Sequence, residues 1–132
     1  MAKAMERFYG SWHLAREVST GARFEGEAVI TETPFGAIYR EDGMLAMDGQ
    51  TPIRATRHLR WHREEDAIAV YFEDGRFFHR FNPDADAPEA RHLCDPDIYD
   101  VVYCFAKWPS WKSTWTVQGP RKSYTMISRY SR

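Results

Sequence analysis

The chain has 132 residues, a length typical of one domain, and 43% of them are hydrophobic, enough for a core without metals or disulfides. Its 18 basic and 19 acidic residues give a net charge of −1, which excludes a global field that would attract nucleic acid or an anionic membrane. No apolar run reaches the length of a membrane span, and Met1 to Arg7 lacks the apolar core of a signal peptide. We therefore expect a cytoplasmic protein in which Cys94 and Cys104 are reduced thiols.

Strand signals dominate the chain, since apolar and polar residues alternate between turns about ten residues apart. A helical turn is predicted only within Met1 to Gly10. The first predicted strands are Trp12 to Val18, Phe24 to Thr31, Ala37 to Arg40 and Met44 to Met47, with turns at Thr33-Pro34-Phe35-Gly36, Glu41-Asp42-Gly43 and Asp48-Gly49. The later strands are Pro52 to His62, Ala67 to Phe72, Phe77 to Phe81, Asp97 to Lys107, Ser113 to Gln118 and Lys122 to Tyr130. Asp74-Gly75 suits a two-residue hairpin turn, and Asn82 to Ala90 is predicted to be a long loop.

This order of elements predicts an all-β, antiparallel, up-and-down barrel of about eight to ten strands, forming a single domain over residues 1–132. Connections of meander length suit this topology better than a two-sheet sandwich, and closure removes exposed strand edges. Barrels of this size hold one small ligand.

The chain resembles two known families. Gly10-Ser11-Trp12, which opens the first strand after the short helical turn, resembles the Gly-x-Trp motif of the lipocalin and calycin group. In that likeness Arg129 or Arg121 would be the basic residue that covers Trp12. The chain also resembles a family of small bacterial and fungal single-domain proteins, a domain of unknown function. The motifs that carry this likeness are Arg57-x-x-x-Trp61, Asp74-Gly75-Arg76, His92-x-Cys94-x-x-Asp97-x-Tyr99 and Trp115-x-Val117-x-Gly119-Pro120-x-Lys122. The first likeness implies a calycin-like ligand barrel, and the second implies no known activity.

The inward face of each predicted strand is identified by its most apolar set, and polar residues share that face. Phe77, His79 and Phe81 are predicted to lie inside together, and His92 and Cys94 join them if the Asp95-Pro96 step preserves the inward face. Tyr124, Met126, Ser128 and Tyr130 follow Lys122 by parity. The predicted pocket lining is Arg16, Tyr39, Glu41, Arg57, Trp61, His79, His92, Cys94, Asp97, Tyr99, Tyr103, Trp115, Lys122 and Tyr124.

Such a lining predicts a site for a small, partly apolar molecule with an acidic or carbonyl group, anchored by Arg57 and Lys122. Glu41 is the natural partner of Arg16 or Arg57. A pair of Arg57 with Glu41 would be either a structural ion pair or an anion clamp whose remaining donors face the ligand. A small-molecule ligand is thus the expected partner, with neither nucleic acid nor a membrane.

The alternative function is a cofactor-free enzyme that moves a proton in an isomerase, cyclase or lyase reaction. Asp97 would act as the base or would orient His92 for that role. The acid would be Tyr99 or Tyr103, and Arg57 would stabilise an oxyanion. For His79 and His92, a hydrogen-bonded structural role is the competing interpretation.

The chain contains no phosphate-binding Gly-rich loop or nucleotide fingerprint, so no cofactor is expected. His79, His92, Cys94 and Asp97 are the one set from which a metal site could be assembled, but their spacing is not that of zinc sites, and no metal is predicted. Cys94 is interpreted as a packing residue in preference to a nucleophile. Trp108-Pro109-Ser110-Trp111 is predicted to cap one barrel end or to mediate contact between two copies in a homodimer.

Overall fold

The computed structural model of the protein describes residues 5–132, in which ten strands form one antiparallel sheet. The strands are β1 Gly10–Val18, β2 Arg23–Thr33, β3 Gly36–Ala46, β4 Ile53–Arg63, β5 Ile68–Phe72, β6 Phe77–Phe81, β7 Glu89–Cys94, β8 Asp97–Cys104, β9 Trp111–Gln118 and β10 Ser123–Ser131. Residues 5–132 contain no helix long and apolar enough to cross a membrane.

The sheet curls into a nearly closed barrel. Neighbouring strands follow the order β6-β5-β4-β3-β2-β1-β10-β9-β8-β7, so the first and last strands of the chain pair with each other. The two edge strands, β6 and β7, lie side by side without a hydrogen-bonded ladder. Side chains cover this seam, where the rings of Phe78 and His92 have centroids 5.2 Å apart. The predicted antiparallel all-β barrel of eight to ten strands is confirmed.

The predicted N-terminal helical turn is not seen as an element of the structure: only Met5 and Glu6 have helical backbone, and Met1 to Ala4 lie outside the described residues. The chain makes turn hydrogen bonds there instead, from the Phe8 N–H to the Met5 carbonyl oxygen (3.0 Å) and from the Tyr9 N–H to the Glu6 carbonyl oxygen (3.2 Å). These contacts lead directly into β1.

The predicted turn at Glu41-Asp42-Gly43 is wrong, because β3 runs without a break from Gly36 to Ala46. Gly43 lies opposite Gly26 of β2, and the two backbones approach closely. A Cβ on Gly43 would lie 2.8 Å from the Gly26 Cα and 2.7 Å from the Phe24 ring, and closer still to the Glu25 carbonyl oxygen. The Asp-Gly pair therefore permits close strand packing and is not a hairpin turn.

The prediction that Phe77 faces inward at the start of β6 is wrong, because Phe78 takes that position. The register between β5 and β6 shifts between Val70 and Tyr71, so Tyr71 pairs with Phe77 and Val70 pairs with His79. Phe78 is the additional residue and lies inside with His79, whereas Phe77 is 43% exposed. A β-bulge breaks the strict alternation on which the prediction of Phe77 inside depended.

The two barrel ends differ. The closed end is formed by residues 5–9, by the turns 34–35 and 64–67 and by the loops 82–88 and 105–110, and the open end is formed by the turns 19–22, 47–52, 73–76, 95–96 and 119–122. Phe8 fills the closed end, with ring centroids at 5.0 Å from Trp108 and 5.4 Å from Trp111. Arg132 covers Trp12, with its guanidinium carbon 3.7 Å from the ring centroid. The lipocalin likeness implied that Arg129 or Arg121 would cover Trp12, but Arg132 does so instead.

Candidate ligand-binding site

A buried polar network crosses the barrel interior. Arg16 of β1 donates two hydrogen bonds to Glu41 of β3, from Nη1 to Oε1 at 2.9 Å and from Nη2 to Oε2 at 2.6 Å. Arg16 Nε also donates to Ser128 Oγ at 2.7 Å. The Tyr39 hydroxyl donates to Glu41 Oε2 and lies 2.6 Å from the Tyr130 hydroxyl. The network therefore joins β1, β3 and β10 and uses every oxygen of the Glu41 carboxylate.

The electrostatics of this network keep the ion pair charged. Burial by itself would raise the pKa of Glu41, but the hydrogen bonds and charge of Arg16 and the hydrogen bond from Tyr39 lower it below its ordinary value. Burial by itself would lower the pKa of Arg16, but the hydrogen bonds and charge of Glu41 outweigh that effect, so the pKa of Arg16 is raised. Burial raises the pKa of Tyr39 well above its ordinary value and that of Tyr130 to about 12. Both tyrosines are thus neutral at physiological pH.

Arg57 is the second arginine on the inward face. It lies directly opposite Glu41 in the register of β3 and β4, yet Arg16 holds the carboxylate. Arg57 makes no hydrogen bond or ion pair with the described residues; its guanidinium carbon lies 5.6 Å from the centroid of the Phe78 ring. Its charge contributes to the lowered pKa of Glu41 and of His79. Arg57 is therefore a half-buried cation with unused donors.

His79 is a buried, neutral imidazole. Its Nε2 lies 2.7 Å from the Tyr103 hydroxyl, and its Nδ1 has no hydrogen-bond partner among the described residues. Burial first, then the charges of Arg57 and His92, lower the pKa of His79 to about 3. Burial has the opposite effect on Tyr103 and raises the pKa of its hydroxyl, so His79 and Tyr103 are both neutral. His79 consequently adds no charge to the interior.

The space between these groups is small because aromatic rings fill most of the barrel. The inner cavity has a volume of about 40 Å³. Stacked pairs of rings form its walls, including Phe78 with Trp115 at 5.0 Å and Tyr39 with Trp61 at 5.8 Å between centroids. The lining consists of Arg16, Tyr39, Glu41, Arg57, Leu59, Trp61, Val70, Phe78, His79, Tyr103, Trp111, Ser113, Trp115, Met126, Ser128 and Tyr130. A volume of this size accommodates a few water molecules and no larger molecule.

The other predicted lining residues lie at the rim of the open end. The β7–β8 hairpin pairs Cys94 with Asp97 and His92 with Tyr99, so the inward face is preserved across Asp95-Pro96. Lys122 Nζ donates to the Tyr99 hydroxyl at 3.2 Å and lies 3.3 Å from Asp97 Oδ2. Cys94 is exposed, and Tyr124 is half-buried. These residues surround the mouth of the barrel and do not line the inner cavity.

The residues proposed for proton transfer are not joined into one unit. Asp97 is paired with Lys122, and no hydrogen bond links it to His92, whose nearest rings belong to Phe78, Phe72 and Tyr99. Arg57 and Tyr103 line the inner cavity, whereas Asp97 and Tyr99 lie at the rim. Among residues 5–132, no three His, Cys, Asp or Glu side chains lie close enough to hold a metal ion. The enzymatic interpretation stays a prediction.

The cavity residues that the sequence analysis missed include Val70, Phe78, Trp111 and Ser113. Phe78 was hidden by the bulge in β6, as described above. Trp111 and Ser113 have the same parity as Trp115, so alternation within the predicted strand already pointed to Ser113, and extending that strand by two residues toward the N-terminus would have identified Trp111. The Trp111 ring stacks on Tyr130 at 3.7 Å, and its Nε1 is buried without a hydrogen-bond partner among the described residues.

Solved structures share this barrel fold at low sequence identity. The S-type phycobiliprotein lyase CPES from Guillardia theta superimposes with a TM-score of 0.67 and 12% identity, covering 98% of this chain and 90% of that one. The structure of EF1p2_mFAP2b bound to DFHBI gives a TM-score of 0.52 at 10% identity, covering 100% of this chain and 98% of that one. At these identities the likeness shows the fold alone.

Sequence comparison places the chain in a family. No curated protein matches it. One family model matches residues 8–132, which is nearly the whole chain and includes every strand of the barrel. The protein therefore belongs to the family described as "Family of unknown function (DUF6314)".

Proposed function

We propose that this protein binds a small, partly apolar molecule bearing an acidic or carbonyl group, with the polar group of the ligand on Arg57. The observation that carries the proposal is the charge balance of the interior. Arg16 and Glu41 neutralise each other, His79 is neutral, and Arg57 is left as a cation without an anionic partner among the described residues. An unpaired, half-buried charge is costly, and an anionic ligand would remove that cost.

The surroundings of Arg57 suit a flat apolar body. Leu59 and Phe72 lie beside Arg57 on its open side, and the ring of Phe72 stacks on Phe78 at 4.4 Å between centroids. Apolar and aromatic walls with few convergent polar groups are typical of small-molecule sites. The fold is also compatible with such a role, since one solved barrel of similar fold is bound to DFHBI and another is a phycobiliprotein lyase.

A matched pair of ligands tests the proposal. We expect 2-naphthoate to bind and its neutral analogue 2-naphthamide to bind at least tenfold more weakly, because hydrogen bonds to charged groups contribute about 1.5 to 3 kcal/mol. Binding would be followed by tryptophan fluorescence, since Trp61 and Trp115 line the cavity. Native mass spectrometry of the purified protein would show whether an acidic ligand is retained.

The matched protein variants are Arg57→Met and Arg60→Met. Both remove a positive charge from β4, but Arg60 is on the exposed face of the strand. Arg57→Met should weaken naphthoate binding at least tenfold, and Arg60→Met should leave it unchanged. Equal losses in both variants, or equal affinity for the acid and the amide, would contradict the proposal.

A further inference from the structure

An open cleft in the barrel wall lies outside the inner cavity, between the first half of β4 and the turn that joins β5 to β6. Its volume is about 660 Å³, and its lining consists of Thr56, Arg57, His58, Leu59, Phe72, Glu73 and Asp74. No other strand covers it, because β5 begins to pair with β4 only at Leu59, opposite Phe72. Residues 53–58 therefore have a strand neighbour on the β3 side alone.

The cleft and the inner cavity share Arg57 and Leu59. The inner cavity measures about 40 Å³, whereas the cleft is open to solvent and offers about 660 Å³. A cavity that holds benzene measures about 150 Å³, so the inner cavity cannot take the apolar body of even a small aromatic acid unless the core rearranges. The cleft can take it while the acid group still reaches Arg57.

The lining of the cleft favours the same ligand chemistry. Its two carboxylates are already engaged, since Glu73 Oε2 lies 2.8 Å from His58 Nδ1 and Asp74 accepts hydrogen bonds from the Arg76 N–H and Nε. Phe72 and Leu59 supply apolar surface. The unpaired backbone edge of residues 53–58 offers alternate N–H and C=O groups to a bound molecule. Arg57 is thus the one charged lining group without a partner among those described.

We infer that the main binding site is this lateral cleft, with a carboxylate on Arg57 and the apolar body of the ligand against Phe72 and Leu59. The inference rests on the proposed function and assigns the ligand to the cleft in place of the barrel interior. The inner cavity then serves as a small extension behind Arg57. The ligand class is a compact carboxylic acid with an aromatic or branched apolar body.

The test compares variants that fill one space and not the other, with 2-naphthoate as the probe. Thr56→Trp fills the cleft from an exposed position on β4, and Thr31→Trp is the matched control on the exposed face of β2. Ser113→Val places a larger side chain in the inner cavity from β9 and so reduces its volume, and residue 113 does not line the cleft. Thr56→Glu is a second cleft variant that adds a repelling charge without bulk.

We expect both Thr56 variants to weaken naphthoate binding at least tenfold and the Thr31 and Ser113 variants to change it less than twofold. Circular dichroism spectra that match the wild type would establish that each variant is folded. Binding that survives both Thr56 variants but is lost in Ser113→Val would overturn the cleft and leave the proposed function intact. Absence of naphthoate binding to the wild type would refute both.

Discussion

The substitution Glu41→Gln tests the buried network most directly. The change preserves the shape of the side chain but removes the negative charge that accepts two hydrogen bonds from Arg16. It leaves Arg16 and Arg57 on the inward face without an anion, and the Arg16 side chain is only 12% exposed. Removal of one partner from a buried ion pair typically costs about 3 to 5 kcal/mol.

For a domain of this length, that loss lowers Tm by on the order of 15 °C. Urea unfolding followed by far-ultraviolet circular dichroism would measure it as a lower midpoint with an unchanged slope. Glu27→Gln on the exposed face of β2 is the matched control and should change stability by less than about 0.5 kcal/mol. The double variant Arg16→Met with Glu41→Leu should lose less than Glu41→Gln, because the more deeply buried Arg16 charge is removed together with its partner and only the half-buried Arg57 stays without an anion.

The same reasoning predicts the sign of an acid effect. The pKa of Glu41 is lower in the folded protein than its ordinary value of 4.5, so the stability it contributes is present above that pH and is lost as the pH falls through the folded value. The midpoint of Glu41→Gln should therefore depend less on pH than that of the wild type below about pH 4.5. The account of the network would be refuted if Glu41→Gln lost less than about 1 kcal/mol of unfolding free energy at pH 7. It would also be refuted if the double variant lost as much as Arg16→Met and Glu41→Leu lose separately when added together.

Three further predictions concern other buried positions. Because the pKa of His79 falls from 6.5 to about 3 on folding, stability should decline from pH 6.5 toward pH 3 by at most about 1.4 kcal/mol per pH unit, and urea midpoints of His79→Gln should lack this part of the slope. In an absorbance titration at 295 nm, Tyr39, Tyr103 and Tyr130 should stay neutral to pH 11 while the protein is folded, and ionisation of all seven tyrosines below that pH would disprove their burial. Gly43→Ala should destabilise by about 1 to 3 kcal/mol in urea unfolding, because its Cβ meets the backbone of β2, and an unchanged midpoint would show that the strands can separate at no cost.

The sequence by itself determined which way most side chains face. Alternation along β1, β3 and β4 placed Arg16, Glu41 and Arg57 inside, and the structure has them there, because regular antiparallel strands keep the period of two over their whole length. The period failed at the bulge that turns Phe78 inward. At Gly43 the alternation holds, and it was the turn signal that misled, because the glycine there permits a close approach to Gly26 within a regularly paired strand.

Only the tertiary structure decided which charges meet. Register puts Arg57 directly opposite Glu41, but the carboxylate binds Arg16, which is two strands away on β1. Inside a narrow barrel, side chains from strands that are not neighbours converge, and no pattern along the sequence records that convergence. The volume of the inner cavity is likewise set by side chains that converge from strands that are not neighbours. Aromatic stacking across the barrel reduces the interior to about 40 Å³, while the short β5 strand leaves a cleft of about 660 Å³ beside Arg57.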